Sequence, residues 1–450
     1  MRAKEEAFRI LEAALSIASA GVDEAEVCLG GGSLGITSFS QNQVHPAEEQ
    51  NVEILSVRMG VDGKLARMRT TDLSTTGIKD LAQRLRAQVE HMPEPATRAS
   101  LPAPQSYEEM DAYDPETEAM RDLDREALAA KAIMAATKND LVASGYVAVR
   151  RGAVSNDGAA GVYAVANTRG LLAYHPETRV TFSVAMQARD GTRGWAEDES
   201  FTVSALEPDE IVRSATKRAM LGGRPARVAP GTFTAILEPA VVAELLRHVG
   251  ATCGAAALED GTSFLSGRLG EKVAAASINL REDFAHALHR GTPFDAEGVA
   301  REAVPLIDKG VAKGAVAGWR SAQRLGIQPT GHTVLDPELG ETEVASYLVL
   351  EGGGATFGDL VGSTPNGILI SRLTPTQLID PRSLTVSGAT RDGLFLIEGG
   401  EPVTQLEDMC FTVSVLDLLM GVEALTGATW AHGAVVPAVK VAFPLSLGVS

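Results

Sequence analysis

The sequence predicts an α+β fold, with an N-terminal helix and antiparallel-sheet domain followed by a β-rich C-terminal domain. Predicted strands and helices cluster along the chain instead of alternating one by one, which disfavours a doubly wound parallel sheet. Forty-five glycines punctuate short runs of valine, leucine and alanine, a composition typical of turn-rich, strand-rich proteins. The 450 residues, of which 45% are hydrophobic, suit two or three domains with cores of their own.

The first predicted unit, residues 1–92, contains a helix, a meander of strands and a second helix. Apolar residues recur at helical spacing from Phe8 to Ala18, and Gly21 ends that helix. Asp62-Gly63 is a favoured pair for a tight hairpin turn between two strands. The predicted elements are a helix at 4–19, strands at 25–29, 35–39, 52–61 and 65–69, and a helix at 76–91.

Residues 93–114 are predicted to be an extended linker, because four prolines between 93 and 104 exclude both a helix and a central strand. A central unit then covers residues 115–228. It begins with a long helix, with Pro115 and acidic residues in the first turn. The predicted elements are a helix at 115–141, strands at 146–154, 162–167, 171–174 and 178–187, and a helix at 207–222.

The third unit, residues 229–450, is predicted to be β-rich. A strand at 233–237 is followed by an amphipathic helix at 240–251, which begins after Pro239. Short strands separated by glycines follow, with one late helix at 416–425. Neither Gly30–Gly32 nor Gly352–Gly354 precedes the Lys-Ser/Thr pair that a phosphate-binding loop needs, so both are predicted to be ordinary loops.

Charge and cysteine usage exclude several classes of function. The net charge of −18 and the lack of a basic stripe disfavour nucleic-acid binding, which needs clustered Lys and Arg. The first ten residues carry charges throughout and no apolar run reaches 18 residues, so we expect a cytoplasmic protein with no membrane contact. Cys28, Cys253 and Cys410 are far apart and odd in number, which predicts buried thiols and no disulfide framework or structural zinc.

Several segments, in order over some 400 residues, resemble the TldD/PmbA family, formerly called "modulator of DNA gyrase". Residues 387–419 follow the C-terminal pattern of that family, and Gly331 fits its "TG" turn. The other similar segments are 57–64 (its first hairpin), 166–170 (its "NS-x-G" turn), 263–271 (its "SFL-x-GKLGE" segment) and 293–299 (its "FD-x-EG" signature).

The resemblance implies a function as well as a fold. TldD-type members carry an HExxxH zinc helix, whereas PmbA-type members, also called TldE, lack it. The two types form a heterodimer that proteolyses unfolded or leader peptides, including steps in peptide-antibiotic maturation. This chain resembles the PmbA/TldE type, so the resemblance implies no cofactor here and zinc in a TldD-type partner.

The helix after Pro239 is where the resemblance places the degenerate zinc motif. Arg247 stands about where the first His of the family would be, His248 near its Glu, and Ala251 near its second His. A catalytic zinc needs three protein ligands and an open position, and a cation at a ligand position opposes the metal. We therefore expect no metal in this chain.

The region from His286 to Glu297 offers an alternative set of catalytic candidates. His286 and His289 lie three residues apart and could share a helix face, but Gly291 follows at once and predicts a solvated loop. Asp295 and Glu297 could form a carboxylate pair for acid–base work. The structural alternative is a turn fixed by Asp295, with Glu297 in a salt bridge.

Three hypotheses follow from the sequence. The first is a non-catalytic PmbA/TldE-like subunit that pairs with a TldD-type zinc metalloprotease and binds extended peptide by strand addition. The second is an active hydrolase or natural-product tailoring enzyme with an atypical site. The third is a homodimeric peptide-binding protein.

Overall fold

The computed structural model describes residues 2–93, 100–154, 160–336 and 340–447, and it confirms the α+β fold. None of the helices within these ranges is both long and apolar enough to cross a bilayer. The N-terminal half contains α1 (Lys4–Ala18), β1 (Glu24–Ser40), β2 (Gln43–Val44), β3 (Glu48–Val61), β4 (Lys64–Thr70), α2 (Thr75–Glu90), α3 (Pro115–Glu118), α4 (Asp122–Lys138), β5 (Val142–Ala153), β6 (Val162–Asn167), β7 (Leu172–Tyr174), β8 (Thr178–Gln187), β9 (Arg193–Ser200), a 3-10 turn (Val203–Ala205) and α5 (Pro208–Ala219).

The C-terminal half is built from short strands around one longer helix. Its elements are β10 (Gly231–Leu237), α6 (Pro239–Thr252), α7 (Ala255–Glu259), β11 (Leu280–Glu282), β12 (Val304–Asp308), β13 (Val311–Ala312), α8 (Trp319–Leu325), β14 (Thr333–Asp336), β15 (Gly340–Glu343), β16 (Leu348–Leu350), α9 (Phe357–Gly362), β17 (Asn366–Ile370), β18 (Gln377–Asp380), β19 (Thr385–Ala389), β20 (Leu394–Glu398), β21 (Glu401–Gln405), β22 (Cys410–Ser414), α10 (Val415–Met420), β23 (Ala424–Leu425), β24 (Thr429–Ala431), β25 (Ala434–Val436) and β26 (Val439–Leu445).

One antiparallel sheet runs through the whole N-terminal half, in the order β4-β3-β1-β5-β8-β9, with β2, β6 and β7 beside β1. The predicted loop at Gly30–Gly32 is wrong, because these glycines continue β1. All three pair with β3, and Gly31 and Gly32 also pair with β5. A Cβ at Gly31 would lie 2.0 Å from the Val52 carbonyl oxygen, so the backbones meet where only glycine fits. The two short strands predicted at 25–29 and 35–39 are therefore one.

Helices cover the sheet in two pairs. Leu11 of α1 and Leu81 of α2 are buried against the first half of β1 and against β3, while α4 and α5 bury their apolar faces against β5 and β8. The single long helix predicted at 115–141 is wrong, because the chain forms α3 and then α4. The Asp124 carboxylate accepts the Arg121 backbone N–H at 2.9 Å, which begins a new helix at that point.

The C-terminal half consists of two six-stranded sheets, β21-β20-β17-β10-β26-β23 and β13-β12-β11-β16-β25-β24. A three-stranded sheet, β18-β19-β22, and the hairpin β14–β15 complete it. Helix α6 contacts β16, β24 and β25, and it buries Leu245, Leu246 and Val249 in the main core of this half. The site region predicted by the resemblance is therefore at the centre of the C-terminal half.

The predicted linker is extended but closely packed. Leu101 is buried, and the Asn167 side-chain amide donates to the Pro102 carbonyl at 2.9 Å. The Tyr107 hydroxyl donates to the Gly298 carbonyl at 2.7 Å, which joins this segment to the C-terminal half. Strands on both sides of the segment share one sheet, and the unit boundaries at 92, 114 and 228 stay a prediction.

Candidate functional site

Three side chains of α6 converge on Thr376, at the residue before β18. The Glu244 carboxylate accepts from the Thr376 backbone N–H at 2.7 Å and from its hydroxyl at 2.6 Å. Arg247 forms an ion pair with Glu244 at 3.0 Å and donates to the Thr376 carbonyl at 2.5 Å. The His248 Nε2 lies 2.7 Å from the same hydroxyl. These contacts attach the middle of α6 to the segment before β18.

The residues of this turn do not fit a zinc ion. Arg247 brings a positive charge, and Ala251 has no donor atom. Counted from Arg247, the HExxxH spacing puts the second His position at Thr252. The predicted position at Ala251 is therefore wrong by one residue. The Thr252 hydroxyl donates to the His248 carbonyl at 2.8 Å. Burial and the neighbouring Arg247 lower the pKa of His248 to about 4, so the imidazole is neutral.

His286 and His289 have different environments although their ring centroids are only 6.2 Å apart. The predicted solvated loop is wrong for His289, whose side chain is fully buried between the rings of Tyr347 and Trp430. Its Nε2 lies 3.0 Å from the Leu348 carbonyl, and burial lowers its pKa to about 4. His286 is only half-buried. The pair therefore lacks a shared open face.

Asp295 forms the turn that the sequence offered as the structural alternative. Its Oδ1 accepts the backbone N–H groups of Glu297 and Val299 at 2.9 and 3.0 Å. Its Oδ2 accepts the Thr333 N–H at 2.9 Å. Burial and the adjacent Glu297 carboxylate raise the pKa of Asp295 to about 7. All of these contacts tie the "FD-x-EG" turn to the start of β14.

Glu297 belongs to a buried ion-pair network between the two halves of the chain. Arg58 lies between Glu297 at 2.7 Å and Glu26 at 2.8 Å, and Arg67 connects Glu26 to Glu341 at 2.7 and 2.8 Å. Burial opposes ionisation of Glu341, but Arg67 and Arg58 outweigh it and hold the pKa of that carboxyl well below its usual range. We call these five residues the interface network.

The candidate residues do not form a metal centre in the part of the chain that the structure describes. No group of three or more His, Cys, Asp or Glu side chains is placed there to hold an ion. Cys28 and Cys253 are fully buried, as predicted, whereas Cys410 is only half-buried. The four catalytic candidates thus contact different partners; these candidates are His286, His289, Asp295 and Glu297.

An interdomain cavity of about 950 Å³ lies beside these residues. Its walls include β9 and β24, which are edge strands of different sheets, and the N-terminus of α6. Hairpin β14–β15 separates it from a second cavity of about 550 Å³, which is lined by Ala251, Glu297 and Glu341. Sequence reasoning missed the first cavity because its walls come from segments more than 200 residues apart.

The wall of the interdomain cavity is charged and aromatic. Arg179 stacks on the rings of Phe201 and Trp430, with its guanidinium carbon 4.1 and 4.6 Å from the two ring centroids. It also pairs with Glu177 at 2.5 Å and Glu199 at 2.9 Å. No sequence spacing marks this cluster, since β8, β9 and β24 come together only in the folded chain.

Comparison with protein families places this α+β fold in a metallopeptidase-related class of protein. Residues 102–222 match the central domain of the "PmbA/TldA metallopeptidase" family model, and residues 230–443 match its C-terminal domain. These matches cover about three-quarters of the chain, so the chain belongs to the PmbA/TldD family, as its sequence motifs predicted.

Named relatives and solved structures are similar to this chain at low identity. A metalloprotease of Methanothermobacter thermautotrophicus is 23% identical over 269 residues, 58% of each chain. The metalloprotease PmbA of Escherichia coli O157:H7 is 26% identical over 262 residues, 55% of this chain and 54% of that relative. The chain thus spans only about half the length of the curated relatives it matches.

The structural similarity extends over the whole chain. TldE from Thermococcus kodakarensis has a TM-score of 0.85 at 20% identity and covers 98% of this chain and 100% of its own. A putative modulator of a DNA gyrase from Thermotoga maritima has a TM-score of 0.79 at 18% identity, with the same coverage. These similarities establish the fold.

Proposed function

We propose that this chain is a non-catalytic, PmbA/TldE-like subunit that pairs with a TldD-type zinc metalloprotease. The contact set of α6 carries the proposal: Arg247 is bonded to Glu244 and Thr376, and the His248 Nε2 faces the Thr376 hydroxyl. Ala251 and Thr252 provide no imidazole. Three zinc ligands cannot be assembled from this turn, so catalysis requires a partner whose helix retains HExxxH.

The interdomain cavity supports the accompanying proposal that the substrate is an extended peptide. Strand β9 pairs only with β8, and β24 pairs only with β25, among the described strands. Both line the cavity, so backbone groups at these edges are placed where an unfolded or leader peptide could add as a strand. Backbone hydrogen bonds do not depend on side-chain identity, which suits a sequence-tolerant protease.

The proposal has further parts. Zinc is assigned to the partner and no cofactor to this subunit. The net charge of −18 favours a protein or peptide partner over nucleic acid. We also propose that the complex acts in the cytoplasm, in proteolysis or maturation of peptides.

Reconstitution with a family member that carries HExxxH tests the proposal. The chain, the partner and their mixture are each analysed by gel filtration, zinc content and cleavage of an unstructured peptide. We expect a mixed complex, zinc only with the partner, and cleavage only when the partner is present. A partner with its motif Glu replaced by Gln is the matched control, and its complex should be inactive.

Two results would contradict this function. Cleavage by the chain alone, with zinc that is lost in His286→Ala or His289→Ala, would favour an active hydrolase or tailoring enzyme. A stable homodimer that binds peptide and ignores the partner would favour a homodimeric binding protein.

A further inference from the structure

Four arginines with mostly buried side chains each pair with two carboxylates. Their side chains are at most 14% exposed, and each forms ion pairs with two different acidic residues within 3.0 Å. They are Arg58 (Glu26, Glu297), Arg67 (Glu26, Glu341), Arg125 (Glu49, Asp122) and Arg179 (Glu177, Glu199).

Arg301 departs from this pattern. Its side chain is only 6% exposed, yet within the described ranges neither its Nε nor its Nη1 has a hydrogen-bond partner. The carboxylate oxygen of Glu282 lies 3.8 Å from Nη1, too far for a hydrogen bond. Arg301 lines the interdomain cavity, and the Tyr347 ring lies 5.2 Å from its guanidinium carbon.

Only one oxygen of Glu282 is hydrogen-bonded, and its Oε1 has no hydrogen-bond partner among the described residues. Its Oε2 accepts the Tyr347 backbone N–H at 2.7 Å, and its Oε1 lies 3.3 Å from the His332 Nε2. Two unsatisfied donors on one buried cation are unfavourable, and a group that enters from the cavity could satisfy them.

A second unsatisfied donor lies in the same wall. The Trp430 Nε1 is buried and has no partner among the described residues, and its ring lines the cavity. Guanidinium and indole N–H groups donate and cannot accept. The complementary ligand must therefore offer acceptor oxygens, and a planar carboxylate matches the guanidinium fork in shape and charge.

We propose that Arg301, with Trp430, binds a carboxylate of the peptide in the interdomain cavity. A free C-terminal carboxylate and an Asp or Glu side chain share this chemistry. Asp295 also lines the cavity, and a dianionic phosphate would meet stronger repulsion from it than a monoanionic carboxylate does. The inference rests on the proposed function, because it requires a peptide in this cavity.

Binding of three dye-labelled, unstructured Gly/Ser/Ala peptides to the full chain, alone and with the partner, tests this site. The first has a free C-terminal carboxylate, the second is its amide, and the third is the amide with one internal Glu. We expect amidation to weaken binding to the wild-type chain about tenfold, as for loss of a charge-assisted hydrogen-bonded pair. Recovery with the internal Glu identifies a side-chain source, and no recovery identifies the terminus.

Variants assign that preference to Arg301. Arg301→Gln should bind acid and amide equally, Arg301→Lys should keep part of the preference, and Trp430→Phe should reduce it while keeping a ring. Arg218→Gln is the matched control, because Arg218 lines the same cavity but is paired with Glu238 at 2.6 Å. It should retain the wild-type preference.

Failure of the inference and failure of the proposed function give different results. If peptides bind but the wild-type chain does not distinguish acid from amide, the carboxylate site is wrong and the function stands. The site is also wrong if Arg301→Gln weakens all three peptides equally. If no peptide binds to the chain or to the complex, both proposals are wrong.

Discussion

The interface network and the wall of the interdomain cavity are both rich in buried charge, but they differ in how completely it is paired. In the network, Arg58 and Arg67 each have two carboxylates within 2.8 Å. In the wall, Arg179 is paired in the same way, but Arg301 has no carboxylate within hydrogen-bonding distance among the described residues. Full pairing fixes two parts of a fold against each other, whereas an unpaired buried group is available to a ligand.

Replacing Arg58, the central cation of the interface network, should have the largest effect on stability. Arg58→Met leaves Glu26 and Glu297 buried without that partner, so we expect a loss of about 3–5 kcal/mol in the free energy of unfolding. Urea denaturation measures it. Arg84→Met removes an exposed ion pair with Asp80 and should cost less than about 1 kcal/mol. Equal losses in the two variants would mean that the network does not hold the halves together.

The turn that presents Glu297 to the network should be the next most sensitive point. Gly298 has φ +76°, and a Cβ there would lie 2.5 Å from the Leu171 Cδ2. Gly298→Ala should therefore cost about 1–3 kcal/mol in thermal or urea unfolding, from backbone strain and overpacking. The double variant with Leu171→Ala should lose less stability than the sum of the losses in the two single variants. Strict additivity would exclude the steric contact.

Acid should destabilise the packing of His289 against Tyr347 and Trp430, two residues of the cavity wall. Burial lowers the pKa of His289 from its ordinary value of 6.5 to about 4. The hydrogen bond with Leu348 and the charge of Glu282 oppose this shift, whereas Arg179 and His286 reinforce it. The unfolded chain binds the extra proton, so this stability is present above pH 6.5 and is lost as pH falls towards 4.

The matched variant is His289→Gln, which keeps a donor for the Leu348 carbonyl but does not titrate in this range. The pH dependence of unfolding should be shallower than in the wild type by up to about 1.4 kcal/mol per pH unit. An unchanged slope would show that His289 accepts a proton in the folded state.

The smallest effect is expected on α6. The Arg247 side chain is half exposed, so Arg247→Ala should cost about 1 kcal/mol or less in unfolding free energy. In complex with the partner, the variant should cleave peptide at the wild-type rate, because Arg247 has no assigned catalytic role. A strong loss of the rate with unchanged stability would place Arg247 in the active site of the complex.

Local features of the fold could be predicted well from the sequence. The Asp62-Gly63 hairpin is confirmed, with both residues at positive φ, because a two-residue turn of this type depends on its own residues. The Asp295 turn is confirmed for the same reason. Strand β9, in contrast, was missed, since its run of acidic residues lacks the apolar alternation of a strand.

The candidate site was less predictable because its contacts join distant segments. Arg58 and Glu297 are 239 residues apart in sequence, and no local spacing announces their ion pair. His289 was expected in solvent because Gly291 follows it closely, but Tyr347 and Trp430 bury it from outside that segment. The sequence indicated which side chains carry charge, and the packing decides which charges are neutralised.

The sequence by itself determined the family, the α+β class and the turns at Asp62-Gly63 and Asp295, because each depends on residue identity or short spacing. Only the tertiary structure decided that Glu297 is an interface residue and that Arg301 has no hydrogen-bonded carboxylate among the described residues. Burial and pairing depend on which distant strands meet, and this is settled by the whole core.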